Sequence, residues 1–375
     1  MNARREASAQ ADLDRRFMAA AIRLSRKHLG LTATNPSVGT LIVRDDGAGP
    51  FIVGRGVTAL GGRPHAETQA LDEAGVLARG ATAYVTLEPC AHHGRTPPCA
   101  EALAAAGIAR VVGAASDPDA RVGGRGYAIL RAAGIEVVEG ILASDAANLM
   151  AGYLTRSVKR RPEVTVKMAV SADGMIGRKG QGQLAITGPV SRAQVHAMRA
   201  EADAILIGIG TALADDPELT CRLPGLESRS PARIVLDMDS RLPLQSKLAL
   251  TARQVPVMLA CGARADADRK AALSAMGVEL LAAEEFEGRI ALPELAEDLA
   301  ARGMATLMVE GGAETVRNFL ADGLVDRIAL FTGEIVVGEG GIAAPLDRDH
   351  MPEGFSLVRE AWFGPDRYSE YVRDR

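Results

Sequence analysis

Apolar positions along this chain follow two alternating rhythms. Short apolar runs that read as strands give way to stripes spaced three or four residues apart, which read as helices. Asp14–His28 carries such a stripe, and residues 1–11 ahead of it read as a frayed tail. Val38–Val43 and Phe51–Val57 predict a strand pair across the turn-rich Asp45-Asp46-Gly47-Ala48-Gly49-Pro50. A helix is expected over 66–78, with Ala66, Ala70, Leu71, Ala74 and Leu77 on its apolar face. Next come the strand Ala81–Leu87, a helix starting near Cys99 after Pro97-Pro98, the strand Ile108–Ala114, another helix and the short strand Ile135–Val138. Ala143–Val158 reads as one closing helix, ended by Lys159-Arg160-Arg161-Pro162.

The second half opens on the strand Glu163–Ser171. Further strands are expected at Ala204–Ile207, Arg233–Leu236, Val255–Ala260, Ala305–Glu310 and Asp326–Phe331, with helices between several of them. This alternation predicts an α/β protein whose sheets are covered by helices. A length of 375 residues fits two domains, placed at 14–160 and 161–375 after a tail at 1–13.

A net charge of −4 without a basic run argues against a nucleic-acid partner. The N-terminus has no apolar core of signal-peptide length, and no apolar run approaches a membrane span. The four cysteines show no disulfide-like pattern, which fits a reducing compartment. A cytoplasmic, soluble protein without a membrane partner is expected.

The candidate chemistry is concentrated in His65-Ala66-Glu67, Pro89-Cys90 and Cys99. A catalytic zinc takes three protein ligands and leaves a fourth position for water. His65, Cys90 and Cys99 form such a set, and Glu67 remains as a carboxylate able to move protons. That is the layout of a zinc nucleobase deaminase. Residues two apart on a helix are rotated by about 200°, so His65 and Glu67 converge only if the helix begins there. Gly61-Gly62-Arg63-Pro64 supports a start at that place. His92 or His93 as a fourth ligand would instead close the site into a structural one.

Three glycine motifs need separate readings. Gly54-Arg55-Gly56-Val57-Thr58-Ala59 satisfies the G-x-G-x-x-A pattern but lacks the helix that must open within the glycines. Gly311-Gly312 lies between a strand and the expected helix Ala313–Leu320, so it is either an ordinary turn or an anion site. Gly208-Ile209-Gly210-Thr211 has the same two readings.

The segment Thr86-Leu87-Glu88-Pro89-Cys90-Ala91-His92-His93-Gly94-Arg95-Thr96-Pro97-Pro98-Cys99, with its C-x8-C spacing, resembles the bifunctional riboflavin-biosynthesis deaminase/reductase family. Asn35-Pro36-Ser37-Val38-Gly39, Lys167-Met168-Ala169-Val170-Ser171-Ala172-Asp173-Gly174, Thr211-Ala212-Leu213-Ala214-Asp215-Asp216-Pro217 and Val309-Glu310-Gly311-Gly312 extend the resemblance from about residue 14 to about residue 372. It implies a cytidine-deaminase-like α/β/α zinc domain followed by a dihydrofolate-reductase-like α/β domain. It also implies one Zn2+, NADPH, a small pyrimidine ribotide substrate and a homo-oligomer, dimer or tetramer. Glu67 becomes the deaminase acid/base, and Asn35 a substrate contact. Lys167, Asp215 and Glu310 become the polar groups of the reductase, without a decision among them as proton donor. Ala169, Thr211, Asp215, Gly311 and Gly312 fall at cofactor positions, and Arg199, Leu219, Arg222 and Glu310 at substrate positions. Arg199 and Arg222 suit bidentate phosphate binding. A Lys167–Glu310 ion pair at strand ends is the plainer reading of those two residues. Gln183, Ala185 and Met238 depart from the family pattern and carry no role. The remaining rivals are another zinc nucleoside or nucleobase deaminase with a degenerate second domain, and a zinc-dependent binding module.

Overall fold

Gly54 and Gly56 point the same way from one strand, and that pairing decides how the first half of the chain packs. The computed structural model describes residues 2–93, 97–118 and 123–374. Gly94, Arg95 and Thr96 of the C-x8-C segment lie outside the described residues. The chain divides into two units, Met1–Arg160 and Arg161–Arg375.

Among the described residues, the first unit holds a sheet of order β2-β1-β3-β4-β5. Its strands are β1 (Gly39–Asp45), β2 (Pro50–Val57), β3 (Thr82–Leu87), β4 (Arg110–Ala115) and β5 (Glu136–Val138). Its helices are α1 (Asn2–Ser25), α2 (Ala66–Ala74), α3 (Cys99–Ala105), α4 (Arg125–Ala132), α5 (Ala143–Leu149) and α6 (Ala151–Lys159). A Cβ on Gly54 would meet the Ala70 carbonyl oxygen at 2.1 Å, and one on Gly56 would meet that of Ala66 at 1.9 Å. So α2 lies with its backbone against β2. The G-x-G pattern here is a strand–helix contact and not a nucleotide loop. Gly56→Ala is expected to destabilise the unit by about 1–3 kcal/mol, because backbone cannot yield as a side chain can. It should also lower zinc content, since α2 carries His65 and Glu67 at its start. Calorimetry and metal analysis of the variant test this; an unchanged melting temperature would refute it.

Three expectations for this half change. The segment read as a frayed tail is helical, because α1 begins at Asn2 and its Ala, Arg, Glu and Gln residues are strong helix formers. The helix expected over 66–78 is α-helical only to Ala74; Gly75 takes φ 52 and a 3-10 turn follows. Leu77, counted on the apolar face, is therefore 45% exposed. The single closing helix is two helices, broken where Met150 leaves helical geometry at φ −104, ψ 19.

The second unit is built on a sheet of order β11-β10-β9-β8-β14-β6-β15-β18-β17. Its strands run β6 (Glu163–Val170), β7 (Met175–Arg178), β8 (Ala204–Gly208), β9 (Ala232–Leu236), β10 (Val257–Cys261), β11 (Glu279–Ala282), β12 (Glu285–Phe286), β13 (Arg289–Ile290), β14 (Thr306–Val309), β15 (Arg327–Thr332), β16 (Gly341–Ala343), β17 (Phe355–Phe363) and β18 (Asp366–Arg373). The helices are α7 (Pro189–Glu201), α8 (Ile209–Asp215), α9 (Lys247–Leu250), α10 (Ala267–Ala275), α11 (Leu292–Ala301) and α12 (Ala313–Ala321). Strands β6, β8, β9, β10, β11, β14 and β15 pair in parallel, and β17 and β18 add an antiparallel edge. Strands β8 and β10 are apolar on both faces, as helix-covered parallel strands tend to be, whereas β6 alternates and turns Lys167 to one face. From β8 the chain moves outward through β9, β10 and β11; from β14 it crosses to β15 on the other side. Open α/β sheets bind ligands beyond the strand carboxyl ends at such a reversal.

Candidate active sites

In the first unit, His65 is the residue just before α2, in extended geometry, and Glu67 is in that helix's first turn. Side chains of a helix start can bend toward the axis, so both reach one point. Cys99 opens α3. Its backbone N–H donates to the Cys90 sulfur at 3.3 Å. His65 Nδ1 lies 3.4 Å from Cys99 Sγ and 3.7 Å from Cys90 Sγ. All three ligand atoms fall within 4.8 Å of one another. Tetrahedral zinc with ordinary bond lengths separates a nitrogen from a sulfur ligand by about 3.6 Å, so the donors already stand at the right spacing. Neither His92 nor His93 joins the group; His93 instead faces Glu101 at 3.4 Å.

Electrostatics favours a cation at this point. The Cys90 thiol is pushed down to about 4, first by its hydrogen bond with Cys99 and then by His65. Cys99 is pushed up by Cys90 and by burial. One negative charge is easily placed on the sulfur pair and the second is not. A dication between them removes that conflict and binds both thiolates. Glu67 is 4% exposed. Burial, then the Cys90 charge, pushes its carboxyl up to about 7.

Two neighbours shape the site from outside the ligand set. Asn35 packs on Gly62, where a Cβ would come 2.3 Å from Asn35 Nδ2. Glu88, missed in the sequence reading, is buried and accepts from the Gly124 and Gly126 N–H groups at 3.1 and 3.0 Å. It ties the start of α4 to the strand end that carries Cys90. A carboxylate one residue from Pro-Cys was the available signal.

In the second unit a cleft of about 1390 Å³ opens at the strand carboxyl ends. Lys167, Ala169, Arg199, Thr211, Asp215, Leu219, Glu310, Gly311 and Gly312 all line it. Arg222 does not appear on its wall. Val309 pairs with Val166, and Ala329 with Lys167, so the sheet register sets Lys167 beside Glu310. Lys167 Nζ is 3.9 Å from Glu310 Oε2. The closer partner of Glu310 is Arg199, whose Nε and one terminal nitrogen donate at 2.8 and 2.9 Å. Arg199 also donates to the Thr220 carbonyl at 3.1 Å. Both arginines expected to grip a phosphate thus have carboxylate partners, since Arg222 donates to Glu218 at 3.1 Å. Burial alone would raise the Glu310 pKa, but the Arg199 and Lys167 charges outweigh it and hold the group at about 2. Burial lowers the Lys167 pKa, with Glu310 opposing, and burial raises that of Asp215. Gly312 N–H donates to Thr211 Oγ1 at 3.0 Å, joining the two glycine-bearing strand ends. A Cβ on Gly311 would meet Thr315 Cβ at 2.6 Å. That crowding keeps the backbone bare where a phosphate would approach.

Comparison with known proteins divides the chain in the same way. Residues 11–115 match the cytidine and deoxycytidylate deaminase zinc-binding region, and residues 162–352 match the RibD C-terminal domain. The class is therefore a bifunctional enzyme, a zinc-dependent deaminase fused to a reductase. Riboflavin biosynthesis protein RibD of Aquifex aeolicus is 38% identical over 329 residues, covering 88% of this chain and 89% of that protein. The chain belongs to the RibD family of riboflavin biosynthesis proteins, and it uses zinc for the first activity and NADPH for the second. Among solved structures, Acinetobacter baumannii RibD superposes with a TM-score of 0.83 at 35% identity over 97% of this chain and 99% of that one. A Thermotoga maritima diaminohydroxyphosphoribosylaminopyrimidine deaminase/5-amino-6-(5-phosphoribosylamino)uracil reductase gives a TM-score of 0.84 at 31% identity, covering 97% and 99%.

Proposed function

We propose that the first unit deaminates a diaminopyrimidinone ribotide and that the second reduces the ribosyl chain of the resulting phosphoribosylaminouracil to a ribityl chain. The observation that carries the first half is the buried Glu67 carboxyl beside a three-donor site. Zinc held by His65, Cys90 and Cys99 supplies Lewis acidity that makes water nucleophilic near neutral pH. Glu67 takes the proton that water loses and returns one to the departing ammonia. Asn35, close to the start of α2, orients the pyrimidine.

For the second reaction NADPH supplies the hydride. Glu310 stays ionised and cannot be the proton donor; it accepts hydrogen bonds from sugar hydroxyls. Lys167 supplies the proton to the heteroatom at the sugar carbon, because burial already disfavours its charged form. Asp215 serves the cofactor side of the cleft, as do Ala169, Thr211, Gly311 and Gly312; Leu219 serves the substrate side. Arg199 holds Glu310 and the Thr220 loop. Arg222 meets the phosphate only after leaving Glu218. The domain limits 14–160 and 161–375 follow the segregation of these groups. Incubating the enzyme with the diaminopyrimidinone ribotide, with and without NADPH, tests the whole scheme by product mass. Loss of ammonia without NADPH and gain of two hydrogens with it are expected; an unaltered ribotide would end it.

The enzyme works in the cytoplasm as a homo-oligomer, dimer or tetramer. Among the described residues no helix is long and apolar enough to cross a membrane. Strand β17 is at the sheet edge and leaves Leu357, Val358 and Trp362 47%, 56% and 68% exposed. Open edges with apolar residues invite pairing with a second copy. Trp362→Lys combined with Leu357→Asp should lower the mass seen in sedimentation. A parent protein that already sediments as a monomer would contradict the assembly.

A further inference from the structure

Residues 216–222, which follow α8, are held against their own backbone preference. Asp216 takes φ 40 and Leu219 φ 58. Neither is glycine, so each occupies the left-handed region that L side chains avoid. Pro217 and Leu219 line the cleft of the second unit. The segment is anchored from outside. The Lys247 N–H donates to Asp216 Oδ1 at 2.8 Å, and fully buried Arg233 donates to the Glu218 carbonyl at 3.1 Å. The Cys221 N–H donates to Ser230 Oγ at 3.0 Å. Two further anchors come from α7, where His196 and Arg199 are three residues apart and share a face. Arg199 donates to the Thr220 carbonyl at 3.1 Å, and the Arg222 N–H donates to His196 Nδ1 at 3.2 Å.

His196 Nδ1 is also 3.2 Å from the Thr220 carbonyl oxygen. One nitrogen cannot serve both neighbours: bare, it accepts from Arg222, and carrying a proton, it donates to Thr220. Burial, then the Arg199 and Arg222 charges, pushes the His196 pKa down and keeps the ring neutral, so one of its nitrogens is bare. The Thr220 carbonyl is already supplied by Arg199, whereas the Arg222 N–H meets no other acceptor among the described residues. The bare nitrogen is therefore Nδ1. The Arg222 side chain meanwhile rests on Glu218. With its backbone pinned, Arg222 can exchange that carboxylate for a substrate phosphate by side-chain rotation alone.

We propose that His196 is a positioning residue that fixes the Arg222 backbone for ribotide binding. The proposal rests on the reductase reading of this cleft, with Arg222 turned to the phosphate. Steady-state reduction of already deaminated ribotide by the full-length enzyme tests it, with KM measured separately for ribotide and for NADPH. His196→Leu should raise the ribotide KM about five- to tenfold, the worth of one hydrogen bond. Its kcat and its KM for NADPH should stay close to the parent's, because only ground-state binding is lost. His196→Asn puts an amide where Nδ1 stands and should restore the ribotide KM. His196→Gln, whose amide reaches the place of Nε2, should not. Arg222→Gln should raise the ribotide KM by itself, and adding His196→Leu to it should change little further, since both act through one contact. Equal ribotide KM in the Asn and Gln variants overturns the proposal. So does a fall in kcat with the ribotide KM unchanged, or full additivity with Arg222→Gln. A parent-like KM in Arg222→Gln alone removes Arg222 from the phosphate and the proposal with it, whereas a parent enzyme that reduces no ribotide overturns the reductase reading itself.

Discussion

Glu67→Gln should cut deamination by about 10²- to 10⁴-fold, the usual worth of a positioned acid/base, and leave the zinc content unchanged. Gln keeps the volume and the place in the first turn of α2, so His65 is undisturbed. It cannot accept a proton from water or give one to ammonia. The side chain is not needed to hold metal, because the donors at 3.4 and 3.7 Å spacing involve only His65, Cys90 and Cys99. Zinc analysis and ammonia release on the same preparation separate the two roles. Metal loss in the variant would make Glu67 a ligand, and near-normal turnover would remove it from the chemistry.

Lys167→Met should stop NADPH oxidation while deamination stays within a few-fold of the parent. Met fills the space of the lysine stem, and Glu310 keeps its two-pronged pair with Arg199, so one cation and one anion remain balanced. Glu310→Gln should behave differently. It strips the anion from two buried cations, and breaking a buried pair costs about 3–5 kcal/mol. That variant should lose reduction and also melt earlier in the second unit. Supplying already deaminated ribotide isolates the reductase step. If folded, zinc-loaded Lys167→Met lost deamination as well, the assignment of one chemistry to each half would be wrong.

The zinc site was legible because its parts are local. His65-x-Glu67 at a helix start and Cys99 at another carry their geometry in the backbone, and helix starts leave marks such as Gly61-Gly62-Arg63-Pro64. Strands β8 and β10 were legible for a similar reason: strands buried on both faces become unbroken apolar runs. Strand β17 was missed because most of its residues are exposed and no alternation survives. At the Met150 break the nearby glycine, Gly152, is already inside the next helix, and Met150 itself gives no signal of a break. Most of all, the partner of Arg199 could not be read. Glu310 is 111 residues away, and nothing local distinguishes an arginine that clasps a buried carboxylate from one that awaits a phosphate.

Backbone rests on backbone where β2 meets α2, and this makes the catalytic geometry independent of side-chain volume. Where aliphatic residues fill the gap between a sheet and a helix, their size sets the distance, and it shifts when they are exchanged. At Gly54 and Gly56 there is nothing to exchange. His65 and Glu67 are therefore insulated from drift in the size of the surrounding core residues. Substitutions that enlarge or shrink Leu41, Ile42 or Val85 would be felt as lost stability long before they moved the metal donors. The same stiffness leaves these two positions with almost no mutational freedom of their own.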